Sequence, residues 1–120
     1  MCKITEKKIS ECLRSVGISA NLLGFEYIKS AVMIISGQDE PSRRITRRNI
    51  VKKLYPQIAD IHNSTPSRVE RGIRHAIEKM YLSGDVDSFD KMLGFPSLEK
   101  GKLTNSEFIF ALFEHLRYND

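Results

Sequence analysis

Apolar residues recur along this chain at the three- and four-residue spacing of one helix face, and strict alternation of the strand type is not sustained anywhere. Ile4, Ile9, Leu13 and Val16 form a first stripe, closed by Gly17. Leu22, Phe25, Ile28, Val32 and Ile35 form a second, closed by Gly37. Residues 38–42, with Pro41 among them, read as a polar linker. A third helix is expected from about Thr46 to Leu54, with Ile50, Val51 and Leu54 inward. Tyr55-Pro56 reads as a boundary, because proline suits the first turn of a helix and not its interior. A short helix from Pro56 to His62, a turn Asn63-Ser64-Thr65 and a long helix from Pro66 to about Leu82 follow. Thr65 is a good N-cap and Pro66 a good first helical residue. A further short helix runs from about Asp87 to Leu93. Thr104-Asn105-Ser106-Glu107 is a capping-box pattern ahead of the last helix, with Phe108, Ile109, Leu112, Phe113 and Leu116 on its stripe. The expectation is an all-α fold: a single compact domain of about six helices.

The most informative stretch lies between Pro56 and Met80. Two helices joined by a three-residue turn need a small residue on the first helix where they touch, a residue tolerant of left-handed backbone in the turn, and a branched apolar anchor early in the second. Ala59, Asn63 and Val69 supply these in order, which is the helix-turn-helix pattern, with the second helix entering the DNA major groove. Projected at 100° per residue, Val69, Ile73, Ala76, Ile77 and Met80 fall on one side of that helix. Ser67, Arg68, Arg71, Arg74, His75 and Glu78 fall on the other. Arg71 lies almost opposite the apolar stripe and is best aimed at a groove floor, where an arginine fork matches guanine O6 and N7. Glu70 either accepts from a cytosine amino group or pairs with Arg74 across i,i+4. Ser67 at the helix N-terminus, with Arg68, Arg74 and His75, suits phosphate.

Charge adds to this picture through its placement. The net charge of +4 at pH 7 is a weak pointer to a polyanion by itself. However, Arg43, Arg44, Arg47, Arg48, Lys52 and Lys53 form a run with no acid inside it, just before the motif. That run is expected to follow the DNA backbone and add sequence-independent affinity, through Arg47 and Arg48 in particular. The stretch from Asp85 to Asp90 is acidic. Tyr27, Tyr55 and Tyr81 read as core or core-edge residues, and Phe108, Phe110 and Phe113 as core or a subunit contact.

Other chemistries find little support. His62, His75 and His115 are scattered, and no phosphate-cradling glycine loop or nucleophile elbow occurs, so neither an enzyme nor a cofactor is expected. Asp85, Asp87 and Asp90 lack the glycine and bidentate glutamate of a calcium loop, and no metal is expected. Cys2 and Cys12 sit outside any ligand cluster and read as reduced thiols. With no apolar run near the ~20 residues of a membrane span and no signal-peptide core, the reading is a soluble cytoplasmic protein that meets no membrane. The alternative to DNA binding is a helical protein-interaction module using the same basic face to dock an acidic partner.

The string SRVERGIRHAIE, from Ser67 to Glu78, closely resembles the recognition helix of the stage-zero sporulation response regulator A family, in its C-terminal DNA-binding effector domain. Val16-Gly17-Ile18-Ser19-Ala20, Gly24-Phe25-Glu26-Tyr27-Ile28, Leu54-Tyr55-Pro56, Ile58-Ala59 and Thr104-Asn105-Ser106-Glu107-Phe108 extend the resemblance over nearly the whole chain. It implies a six-helix effector domain that binds double-stranded promoter DNA and regulates transcription in a spore-forming lineage. It implies base contacts by Arg68, Glu70 and Arg71, and phosphate contacts near Ser67, Arg74 and His75. It further implies tandem self-association on DNA and a surface from Ser88 to Leu93 offered to the RNA polymerase sigma subunit. The family's receiver domain has no room in these 120 residues, which read as either a free-standing effector homologue or a separated part of a longer protein, so phosphorylation control is not carried over. Residues 41–49 are more arginine-rich than the family pattern. Gly72 stands where the family favours alanine, at a helix-propensity cost of roughly 1 kcal/mol, and lets the backbone approach a neighbour closely.

Overall fold

The second apolar stripe becomes the centre of the molecule. In the computed structural model, which describes residues 3–118, the elements are α1 (Glu6–Ser15), α2 (Leu23–Ser36), α3 (Glu40–Arg48), α4 (Ile50–Lys53), α5 (Tyr55–His62), α6 (Pro66–Ser83), α7 (Val86–Leu93), a 3₁₀ turn (Ser97–Lys100) and α8 (Asn105–Tyr118). Helix α2 buries Gly24, Phe25, Tyr27, Ile28, Ala31, Val32 and Ile35, because its apolar residues cover more than one face. It packs against α1, α5, α6 and α8. The result is an all-helical compact globule: the radius of gyration is 13.3 Å, against about 13.6 Å expected for one compact domain of this length.

Capping fixes where helices begin. Thr5 accepts from Lys8 N at the start of α1, and Thr65 accepts from Arg68 N at the start of α6. At α8 the capping box is complete: Thr104 N donates to Glu107 Oε1 at 2.9 Å and Glu107 N donates to Thr104 Oγ1 at 3.2 Å. Each such cap contributes ~1 kcal/mol.

Two expectations fail between α2 and α5. The polar linker over residues 38–42 is mostly helix. Asp39 Oδ1 accepts from Ser42 N at 2.8 Å, and Pro41 sits in the first turn, where its missing N–H leaves no bond unmade. The helix expected from Thr46 to Leu54 is broken at Asn49, whose backbone (φ −143°, ψ 60°) leaves the helical region. The described residues therefore contain eight α-helices, the four-residue α4 being split from α3. The break also rotates Val51 outward to 60% exposure, so it is not inward, while Leu54 is fully buried and Ile50 half-buried. Tyr27 and Tyr55 are buried, Tyr81 is half-buried, and Phe108, Phe110 and Phe113 are core. Cys12 is half-buried, with its Sγ 3.4 Å from Met92 Sδ, and burial pushes its thiol up to about 11. Cys2 lies outside the described residues. Among the described residues no helix is long and apolar enough to cross a membrane.

Candidate nucleic-acid interface

Helix α5 ends because Asn63 turns left-handed (φ 51°, ψ 50°), a region in which an asparagine is strained far less than a branched residue. Both Asn63 N and Ser64 N return to Ala59 O, the latter at 2.9 Å. Ala59 is 3% exposed and Val69 fully buried, and α5 packs against α6. The small residue and the anchor singled out in the sequence are thus buried and the turn asparagine is left-handed, which is compatible with a helix-turn-helix.

Helix α6 then divides its circumference as projected. Val69, Ile73, Ala76, Ile77 and Met80 are buried. Each large side chain among them contributes roughly 1.5–3 kcal/mol by leaving water, which fixes the rotation of the helix about its axis. Ser67, Arg68, Arg71, Arg74, His75 and Glu78 are exposed on the opposite face. Arg71 Nε donates, at 3.4 Å, to Ser67 O of its own helix and, among the described residues, to no other element. Glu70 is half-buried and pairs with Arg74 across i,i+4. Of the two readings of Glu70, the ion pair is the one present without DNA. A pair of this kind is worth only ~0.3–0.5 kcal/mol, small against a bidentate base contact of ~1–3 kcal/mol.

The basic run divides into two groups. Arg43 is not placed to follow a DNA backbone: Nε donates to Ile35 O at 2.8 Å, Nη2 to Ser36 O at 3.3 Å and Nη1 to Glu40 Oε1 at 2.9 Å, and its guanidinium lies 4.7 Å over the Phe113 ring. It thereby caps the C-terminus of α2. Arg47 is exposed but rests 5.4 Å over the Phe110 ring. Arg44, Arg48, Lys52 and Lys53 are exposed. Glu40 also accepts from Arg117 of α8 at 2.7 Å, and this hydrogen bond holds its carboxyl below the ordinary 4.5.

Residues that the sequence did not assign to the site join its edge. Asn105 Nδ2 donates both to Glu70 O and to Tyr55 OH, each at 3.0 Å, tying the start of α8 to the middle of the exposed helix. Burial of Tyr55 raises its phenol above the ordinary 10, partly offset by that hydrogen bond. Lys102 lines a cavity of about 470 Å³ together with Arg74, Val51 and Leu103, and so adds a cation on the Arg74 side. Only the fold brings Lys102 there; no local pattern marks it. In the acidic stretch, Asp85 caps α7 through Ser88, and Asp90 Oδ1 accepts from the N–H and hydroxyl of Ser97. In the segment from Ser88 to Leu93, Phe89 is buried and Lys91 exposed.

An all-helical globule with a left-handed asparagine turn ahead of a long helix, arginines outward and aliphatic residues inward, is compatible with a helix-turn-helix domain of the DNA-binding class. The match to known proteins narrows that class. The family model described as "Sporulation initiation factor Spo0A C terminal" matches residues 9–116, and the chain belongs to that family, the DNA-binding domain of a sporulation regulator.

Proposed function

We propose that this protein is a non-enzymatic transcription regulator that reads double-stranded promoter DNA in the major groove with the outward face of α6. The observation carrying this reading is that Arg68 and Arg71 stand exposed on a helix whose opposite face is wholly buried. In the reading, Arg68 and Arg71 donate to guanine O6 and N7, and Glu70 exchanges Arg74 for a cytosine amino group. Ser67, Arg74, His75, Arg47 and Arg48 hold phosphates. The whole chain acts as one effector domain in the cytoplasm. It binds adjacent sites in tandem and offers the surface from Ser88 to Leu93 to a polymerase sigma subunit.

The test is selection from a random duplex library, followed by anisotropy titrations of the selected duplex at two salt concentrations. Arg71→Ala is expected to lose ~1–3 kcal/mol on the selected duplex and to blur one base position. Arg48→Ala should weaken selected and unrelated duplexes alike and flatten the salt dependence. Selection that returns no preferred sequence, or an Arg71→Ala protein that binds as tightly as wild type, would refute base reading. It would leave docking of an acidic polypeptide as the use of the face.

A further inference from the structure

A buried tyrosine approaches α6 from behind, and its hydroxyl reaches the turn ahead of that helix. Tyr27 of α2 is 4% exposed. Its ring lies so close to Gly72 of α6 that a methyl group there would stand 2.8 Å from Cε2. Its hydroxyl donates to Ser64 Oγ in the turn at 3.1 Å, and its ring meets His62 edge-on at 5.2 Å between centroids. One turn further along α2, Ser30 Oγ shares a 2.7 Å hydrogen bond with His62 Nε2. Helix α2 thus holds the residues on both sides of Asn63, the single non-glycine residue with positive φ among those described. It also sets the distance to the middle of α6 through the bare backbone at Gly72.

We propose that Tyr27 is a positioning residue for DNA reading, which fixes the turn through Ser64 and so aims Arg68 and Arg71. The inference rests on the base-reading function proposed above. A planar fork that must meet two acceptors on one base edge tolerates displacement of only ~0.5 Å, so its support has to be rigid. Attraction to phosphate charge tolerates much more. Loosening the turn should therefore lower selectivity and leave sequence-independent affinity in place, which distinguishes positioning from general stability.

The experiment compares Tyr27→Phe, Ser64→Ala, the double variant and Ser64→Thr on two duplexes, the selected one and a shuffled one of equal length. Circular dichroism and melting confirm folding. Tyr27→Phe removes only the hydroxyl and is expected to weaken the selected duplex roughly three- to tenfold, the worth of one hydrogen bond, with the shuffled duplex within about twofold. Ser64→Ala should reproduce that loss, the double variant should lose no more than either single one, and Ser64→Thr, which keeps a hydroxyl, should retain selectivity. Equal losses on both duplexes, no loss on either, or additive losses in the double variant overturn the proposal. Arg71→Ala separates the failures. If it abolishes selectivity while Tyr27→Phe does not, base reading stands and the role of Tyr27 falls. If it leaves selectivity intact, base reading itself fails.

Discussion

The closest approach between helices invites the sharpest stability test. Where α2 crosses α6, a Cβ on Gly24 would stand 2.2 Å from the carbonyl oxygen of Gly72 and 2.6 Å from the Cβ of Ala76. Real Cβ atoms essentially never come within 3.0 Å of another heavy atom, so Gly24→Ala must part the two backbones by about 0.8 Å or more. No rotamer change relieves the clash, because its main partner is backbone. A gap of ~0.5–1 Å forfeits a quarter to a half of the dispersion energy of each pair it opens. The interface opened includes buried Tyr27 on α2 and Gly72 and Ala76 on α6. Overpacking usually costs about 1–3 kcal/mol, and a backbone clash belongs at the upper end. Alanine returns up to ~1 kcal/mol of helix propensity. The expected net loss is about 2 kcal/mol or more, read as a lower urea midpoint at unchanged slope. Gly37→Ala is the control. Gly37 ends the same helix at φ −84°, and the nearest atoms to an added Cβ are 3.6 and 3.8 Å away. That change should be neutral or stabilising by ~0.4–1 kcal/mol through the unfolded chain. A Gly24→Ala protein as stable as wild type, or as stable as Gly37→Ala, would refute the close crossing.

Three further outcomes follow from caps, charge and burial. Thr65→Ala removes the acceptor for Arg68 N and should cost ~1 kcal/mol in denaturant unfolding; no change would mean that the start of α6 is held by other means. The Glu40 carboxyl is held below its ordinary value by Arg117, so the stability it contributes is present above that value and is lost as pH falls through the depressed one. The melting temperature of Glu40→Gln should accordingly fall less than that of wild type between about pH 5 and about pH 3; parallel curves would contradict the coupling. Cys12, its thiol raised to about 11 by burial, should react with iodoacetamide at pH 8 ~100-fold more slowly than an ordinary thiol, measured in a Cys2→Ser background. Reaction at the ordinary rate would place Cys12 in solvent.

Helix α6 was readable from the sequence because everything that defines it is local. Thr65 and Pro66 start it, and five apolar residues at helical spacing give its buried side. Asn63 is nearly the only residue of its turn able to turn left-handed. Helix α3 was opaque for the opposite reason. Its sole buried residue is Thr46, so it shows no apolar stripe, and its polar, proline-containing start resembles a linker. What holds it is arginine laid on phenylalanine, with Arg43 over Phe113 and Arg47 over Phe110, which hydrophobic periodicity cannot register. The same limit applies to Asn105, Lys102 and the hydroxyl of Tyr27. Their partners lie far along the chain, 37 positions away for Tyr27 and Ser64, and only the packed fold joins them.

Positive charge close in sequence therefore does not act as one surface, and the number of partners each guanidinium holds decides where it belongs. Arg43 has three hydrogen bonds to α2 and Glu40 besides its ring. Hydrogen bonds to a charged group are worth ~1.5–3 kcal/mol each, so no single phosphate contact can draw Arg43 away. Arg47 has only the face of Phe110, worth ~0.5–1 kcal/mol at an exposed site. A phosphate contact matches that, so Arg47 can exchange one for the other at little cost. Arg71 holds one hydrogen bond, long at 3.4 Å and within its own helix. Arg71 and Arg47 are thus freer to meet an anion than Arg43 is. This follows from geometry, whereas the sequence presents Arg43 and Arg47 as members of a single basic run.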